Sequence, residues 1–167
     1  MRRPYGPRQQ FTAGRRAAAA ALAAAGAADR TVPRDPDGRP CFPPGFAGSI
    51  SHTDRLAVAV VVPGAAAVGV DIESAAISPR VARFVLSGRE RRTLLPPAGE
   101  CTPRELFSAK EAAFKALYGI GTQDHFLFWK IELSRSDDAL IASYRGATVP
   151  VWIRSEEDMS FAVAIQR

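Results

Sequence analysis

Gly69-Val70-Asp71-Ile72-Glu73 ends an apolar stretch that runs from Leu56 to Val62 and resumes at Val68. Residues two apart in a strand project from one face. Asp71 and Glu73 are therefore expected to present two carboxylates to one point at a strand end. Downstream, Phe107-Ser108-Ala109-Lys110-Glu111-Ala112-Ala113-Phe114-Lys115 has the composition of a helix. Glu111 and Lys115, four apart, share a face one turn apart and add a third carboxylate and a cation. Upstream, Ser49-Ile50-Ser51-His52 reads as a loop carrying two hydroxyls and an imidazole.

Working outward, the spacing predicts a helix over 9–26 and an ordered Pro/Gly/Asp turn region over 31–48. Strands follow at 56–62 and 67–73, separated by the turn signal Pro63-Gly64. Short helices are expected near 79–85 and 87–94, the second opened by Ser87-Gly88-Arg89-Glu90, a capping-box pattern. Pro96-Pro97-Ala98-Gly99 breaks the chain before a main helix over 103–118 that stops at Gly119. Strands at 126–134, 139–144, 148–154 and 160–166 complete it. Helices alternating with antiparallel strand pairs make an α+β layout. Phe84, Phe107, Phe114, Trp129, Trp152 and Phe161 are expected in the core, with Phe114 the one placed to reach a ligand, between Glu111 and Lys115.

Singly, each motif has a plainer reading: a solvated strand end, a salt-bridged helix face, a loop histidine. Together, in this order, they suit Mg²⁺ holding a pyrophosphate. Mg²⁺ takes hard oxygen ligands, usually a few carboxylates, waters and the phosphate oxygens of the substrate. Lys110, Lys115 and His52 would neutralise phosphate charge, which is most of what a protein contributes to phosphoryl transfer.

The 167 residues suffice for one core and are too few for two large domains. A net charge of +5 suits an anionic partner. The arginines are dispersed, with no aromatic-basic motif or zinc spacing, which argues against nucleic acid. Cys41 and Cys101 are too few and too far apart for a disulfide scaffold or metal site, and point to the cytoplasm. Met1-Arg2-Arg3 before the alanine run Ala17 to Ala28 superficially resembles a secretion signal. That run contains only Leu22 among the larger aliphatic residues, and alanine favours helix. No stretch reaches membrane-spanning length.

These motifs closely resemble the 4'-phosphopantetheinyl transferase superfamily, in its surfactin- and enterobactin-synthase branch. That branch carries a Ser-x-Ser/Thr-His stretch, a Gly-Ile/Val-Asp-x-Glu strand end and a Phe/Trp-x-x-Lys-Glu-Ala-x-x-Lys helix. The likeness extends to Arg8 through Arg15 and to Gly38-Arg39-Pro40-Cys41-Phe42-Pro43, and covers about residues 8–120. The resemblance implies a pseudo-twofold fold of helices on small antiparallel sheets, in two halves at about 8–78 and 79–167 of one domain. It implies transfer of the phosphopantetheine arm of coenzyme A to a serine of an apo acyl or peptidyl carrier protein, releasing adenosine 3',5'-bisphosphate. By the same resemblance Asp71, Glu73 and Glu111 would be the Mg²⁺ ligands. Arg8, Arg15, Arg34, Ser51, His52, Lys110 and Lys115 would surround coenzyme A, and either Glu111 or Lys115 would take the serine proton.

Departures from the family pattern stand beside the matches. Ala19 occupies a position where relatives carry another phosphate-binding Arg, for which Arg16 or Arg39 is the substitute. Phe42 replaces a Trp. The region before the first helix, including a strand, is missing, so a sheet edge is expected to be unpaired. The competing reading is a shortened relative that binds coenzyme A or a carrier protein without turnover.

Overall fold

Alanine decides the first element. The chain is described by a computed structural model over residues 6–118 and 128–167. Met1-Arg2-Arg3, the Gly119 helix stop and the start of the strand expected from 126 lie outside the described residues. Helix α1 (Pro7–Ala24) opens with Pro7 at its first position and the Gln9 carboxamide accepting from the Gly6 N–H at 2.9 Å. Ala18 and Leu22 are fully buried against Ile50, Ala59 and Val61, so the alanine run is a helix packed on a sheet.

That sheet is two strands, β1 (Phe46–His52) and β2 (Ala57–Pro63), paired antiparallel with Ser49 opposite Val60 and Ser51 opposite Val58. The Ser-Ile-Ser-His stretch is therefore strand and not loop. The next strand, β3 (Ala67–Glu73), does not form a hairpin with β2 across Pro63-Gly64. It pairs with the last strand of the chain.

Two short helices follow, α2 (Pro79–Val85) and α3 (Gly88–Thr93). The capping box at Ser87 forms as the sequence predicts: Ser87 Oγ accepts from the Glu90 N–H at 3.1 Å, and Glu90 Oε2 accepts from the Ser87 N–H at 2.6 Å. Helix α4 (Pro103–Tyr118) is opened by a second reciprocal pair, Thr102 with Glu105, at 3.2 and 2.6 Å. After one 3-10 turn at Phe128–Lys130 come β4 (Glu132–Arg135), β5 (Leu140–Tyr144), β6 (Ala147–Glu156) and β7 (Met159–Gln166).

The antiparallel order is β3-β7-β6-β5-β4, and α4 lies across one face of it. The main core forms there, from Leu106, Ala109, Ala113 and Leu117 of α4 against Leu133, Ala142, Val149, Val151, Ala162 and Ala164. The fold is α+β, helices on antiparallel sheets. Three of the expected core aromatics are on the surface instead: Phe84, Trp129 and Trp152 are 69%, 46% and 44% exposed. Phe84 and Trp129 stack on each other at 5.6 Å. Aromatic content alone does not say which face of a short helix or of a one-sided sheet is covered.

Strand β3 is buried at six of its seven positions, the signature of a strand covered on both faces. β7 satisfies one of its edges. On the other side, the N–H groups of Val70 and Ile72 donate to Ser49 Oγ at 3.0 Å and Ser51 Oγ at 3.3 Å. Two serines two apart on β1 thus match two N–H groups two apart on β3, and the two sheets are joined there through side chains.

Candidate active site

Glycine at position 69 sets how closely α4 approaches β3. A Cβ built there would overlap the Ala112 carbonyl oxygen, with the Ala116 nitrogen at 2.9 Å. Only hydrogen fits between strand and helix. The close approach carries Lys115 to the strand end: its Nζ donates to Asp71 Oδ1 at 3.0 Å and to the Val70 carbonyl at 2.8 Å. Ser51 Oγ donates to the same Asp71 Oδ1 at 3.0 Å while accepting from Ile72. Asp71 is therefore buried, oriented from two sides, and ion-paired to α4.

Glu111 stands one helical turn from Lys115, and its carboxyl is held above the ordinary carboxylate range. Burial is the main cause. Asp71 and Glu73 push the same way, and Lys115 opposes them. The three carboxylates thus feel one another's fields, as the sequence led us to expect. They do not converge into a coordination shell, however: among the described residues no group of three acidic, histidine or cysteine side chains is placed to hold a metal ion. Glu73 Oε1 accepts from the Ala75 N–H at 2.9 Å, and Lys115 occupies one oxygen of Asp71. In donor chemistry the set fits a hard divalent cation, because mutual repulsion of like charges is what such an ion relieves.

A cleft of about 750 Å³ opens beside this cluster, lined by Phe42, Phe46, Ile50 and Val68 from the strand side and by Phe114, Lys115 and Tyr118 from α4. Phe114 reaches the cavity wall, as its position between Glu111 and Lys115 suggested. The Phe42 ring lies so close over Gly48 that a Cβ there would overlap it, so the stacking surface that replaces the family's Trp is built into the cleft floor. Arg39 crosses the rim. Its guanidinium sits 4.3 Å over the Tyr118 ring, donates to Tyr118 Oη at 3.2 Å and pairs with Asp37 at 3.0 Å.

Pro40 and Ile50 also line a second, smaller hollow of about 330 Å³, which gathers Arg15, Arg34 and His52. Arg15 and Arg34 lie 4.7 and 4.4 Å from the centre of the Phe11 ring. Burial and the neighbouring Arg34 lower the Arg15 pKa from its ordinary value, and Arg15 Nε is buried without a partner among the described residues. Two guanidiniums and an imidazole without an acidic partner in the same hollow form a place for an anion.

Arg8 does not line this hollow. It borders a separate surface depression with Thr12 and Arg16, which also leaves Arg39 as the only one of the two substitutes for the Ala19 position that lines the cleft. Ser51 spends its hydroxyl on Asp71 and on the Ile72 N–H of β3. Lys110 is the clearest correction. Its side chain is fully buried on the other side of α4, with Nζ 2.9 Å from Glu90 Oε2, because one residue along a helix turns the side chain by about 100°. Glu90 was visible in the sequence only as a helix cap. Nothing in its local pattern signalled a buried partner twenty residues on.

Residues 67–166 match the 4'-phosphopantetheinyl transferase superfamily, and residues 7–62 match the 4'-phosphopantetheinyl transferase N-terminal domain. The chain belongs to the 4'-phosphopantetheinyl transferase superfamily. No curated protein compared with it matches. The boundary between the two matched segments falls in the chain between β2 and β3, and the β1 serine hydroxyls bond the first segment to β3 of the second. Phosphopantetheinyl transferases use coenzyme A as substrate.

Proposed function

We propose that this protein transfers the 4'-phosphopantetheine arm of coenzyme A to a serine of an apo acyl or peptidyl carrier protein, with Mg²⁺, in the cytoplasm, and belongs to the surfactin- and enterobactin-synthase branch. The observation that carries the reading is the juxtaposition of Asp71, Lys115 and Glu111 beside a cleft that shares Pro40 and Ile50 as walls with the Arg15/Arg34/His52 hollow.

The carrier serine oxygen attacks the phosphorus that bears the pantetheine arm. One P–O bond forms, the bond to the bisphosphate breaks, and adenosine 3',5'-bisphosphate leaves. Glu111 takes the serine proton, directly or through a water, from its place one helical turn from Lys115, which lines the cleft. Lys115, whose Nζ donates to Asp71 and to the Val70 carbonyl, serves as a cation beside the transferring phosphate. Arg15, Arg34 and His52 bind the remaining anionic part of coenzyme A, and Arg39 closes over the cleft. Mg²⁺, held by Asp71 and Glu111 with Glu73 once it releases Ala75, would neutralise phosphate charge in the transition state.

Incubation with coenzyme A, Mg²⁺ and an apo carrier protein tests the proposal, with the carrier weighed by mass spectrometry. The carrier is expected to gain the phosphopantetheine mass. A carrier unchanged while coenzyme A binds would make the protein a binding relative instead.

A further inference from the structure

The candidate site makes no use of the most buried charges in the protein. Glu90 and Lys110 are 1% and 0% exposed, and theirs is the only ion pair among the described residues in which both partners are wholly buried. Stability alone does not account for it, because well-packed apolar residues of similar volume usually serve as well or better. What the pair supplies is direction. Glu90 Oε2 accepts from Lys110 at 2.9 Å and from the Ser87 N–H at 2.6 Å, while Oε1 accepts from the Leu133 N–H at 2.8 Å. Lys110 Nζ also donates to the Val85 carbonyl at 2.8 Å. The end of α2, the start of α3, strand β4 and helix α4 therefore meet at one carboxylate.

Between its anchors Leu106 and Leu117, with Phe107 and Phe114 only partly buried, the fully covered face of α4 is made mostly of small residues. Between Leu106 and Leu117 its fully buried residues are Ser108, Ala109, Lys110, Ala112, Ala113 and Ala116, and only Lys110 is long. Ala112 and Ala116 meet β3 at Gly69, glycine against alanine. Surfaces without branched side chains interlock poorly and resist rotation or sliding of a helix weakly. Lys110 immediately precedes Glu111, so fixing its Nζ fixes where Glu111 and, one turn on, Lys115 point.

We infer that the Glu90–Lys110 pair is a positioning device that sets the rotation and axial placement of α4, so that Glu111 and Lys115 face Asp71. The inference rests on the reaction proposed above. It makes both residues essential to turnover without either touching the substrate, and it accounts for a lysine next to Glu111 that points away from the cleft.

The test is the charge-free pair E90Q/K110M, in which the carboxamide oxygen still accepts from the Leu133 N–H and Met fills the lysine volume. Thermal melting should show a folded protein. The kcat for carrier loading should fall about tenfold or more, with the KM for coenzyme A within about threefold of wild type, since the Arg15/Arg34/His52 hollow is untouched. Wild-type kcat in this variant overturns the inference, as does a kcat loss accompanied by an equal rise in KM. If the double variant does not fold, E90Q, which keeps the Lys110 bond to Val85, is read below its melting temperature by the same criteria. If the wild type loads no carrier, the function proposed above fails, and the positioning role is then read by amide exchange. Exchange across Glu111 to Lys115 should speed up about tenfold in the variant, with β3 and β7 unchanged. Equal exchange in α4 rejects the positioning role on its own.

Discussion

Lys115 shows how one side chain can be read two ways until its partners are seen. Its bonds to Asp71 and to the Val70 carbonyl favour a clamp over a proton acceptor. Lys115→Arg should accordingly keep a substantial part of the activity, whereas Lys115→Met should lose on the order of a hundredfold in kcat. A dead Lys115→Arg enzyme with normal coenzyme A affinity would return the base role to Lys115. The hollow is tested separately. Arg15→Ala, Arg34→Ala and His52→Ala each remove a charge-assisted contact of roughly 1.5–3 kcal/mol, which should raise the KM for coenzyme A about tenfold or more and leave that for the carrier alone. Glu111 gives a pH signature. Its folded pKa is raised above the ordinary 4.5, so the folded state holds its proton more tightly than the unfolded chain. The contribution is fully present below 4.5 and is lost as pH rises through the raised folded value. Glu111→Gln should thus melt at a higher temperature than wild type near neutrality in the absence of Mg²⁺, with the difference shrinking in acid. A constant difference across that range would remove Glu111 as the source.

At the level of elements, the boundaries of β3, α2 and α4 were legible because each is self-contained: β3 runs from the apolar Ala67–Val70 stretch into the alternating Asp71-Ile72-Glu73, and both helices begin at a proline with a hydroxyl residue before it. Strand β1 was not, because Phe46-Ala47-Gly48-Ser49-Ile50-Ser51-His52 has little strand propensity of its own. Its conformation is decided by what it satisfies, the Val70 and Ile72 N–H groups of a strand far along the chain. The β2–β3 turn misled for the same reason, since β3 is better covered by β7 and α4 than by β2. Lys110 misled because adjacency in a motif does not mean a shared helix face. The seam carries its own prediction. Ser49→Ala and Ser51→Ala each leave a buried N–H without an acceptor and should cost about 1–3 kcal/mol, seen as a lowered denaturant midpoint. Ser51→Ala should in addition lower kcat, since it frees one side of Asp71. If Ser49→Ala costs turnover as much as Ser51→Ala at equal stability, the division between seam and site is wrong.

Across the whole molecule, the substrate is expected to bridge two structural units that are otherwise held together mainly by side chains. α1, β1 and the Arg34 turn supply the cationic hollow, while β3 and α4 supply the carboxylates and Lys115, and Pro40 and Ile50 line both cavities. A ligand that spans such a seam stabilises both units together. Binding of coenzyme A with Mg²⁺ should therefore raise the unfolding free energy by about 2.7 kcal/mol at a hundred times its Kd. For a chain of this size each kcal/mol is worth roughly 2–4 °C. The melting temperature should thus rise by about 5–10 °C, in a single transition. Arg15→Ala should lose most of that rise because it removes the hollow's grip. Asp71→Asn should lose the part that depends on Mg²⁺ and keep the rest, because the cation belongs to the other unit. Coenzyme A stabilisation of equal size in wild type and Arg15→Ala would mean that the anion sits elsewhere, and stabilisation unaffected by Mg²⁺ in the wild type would remove the carboxylate cluster from its binding.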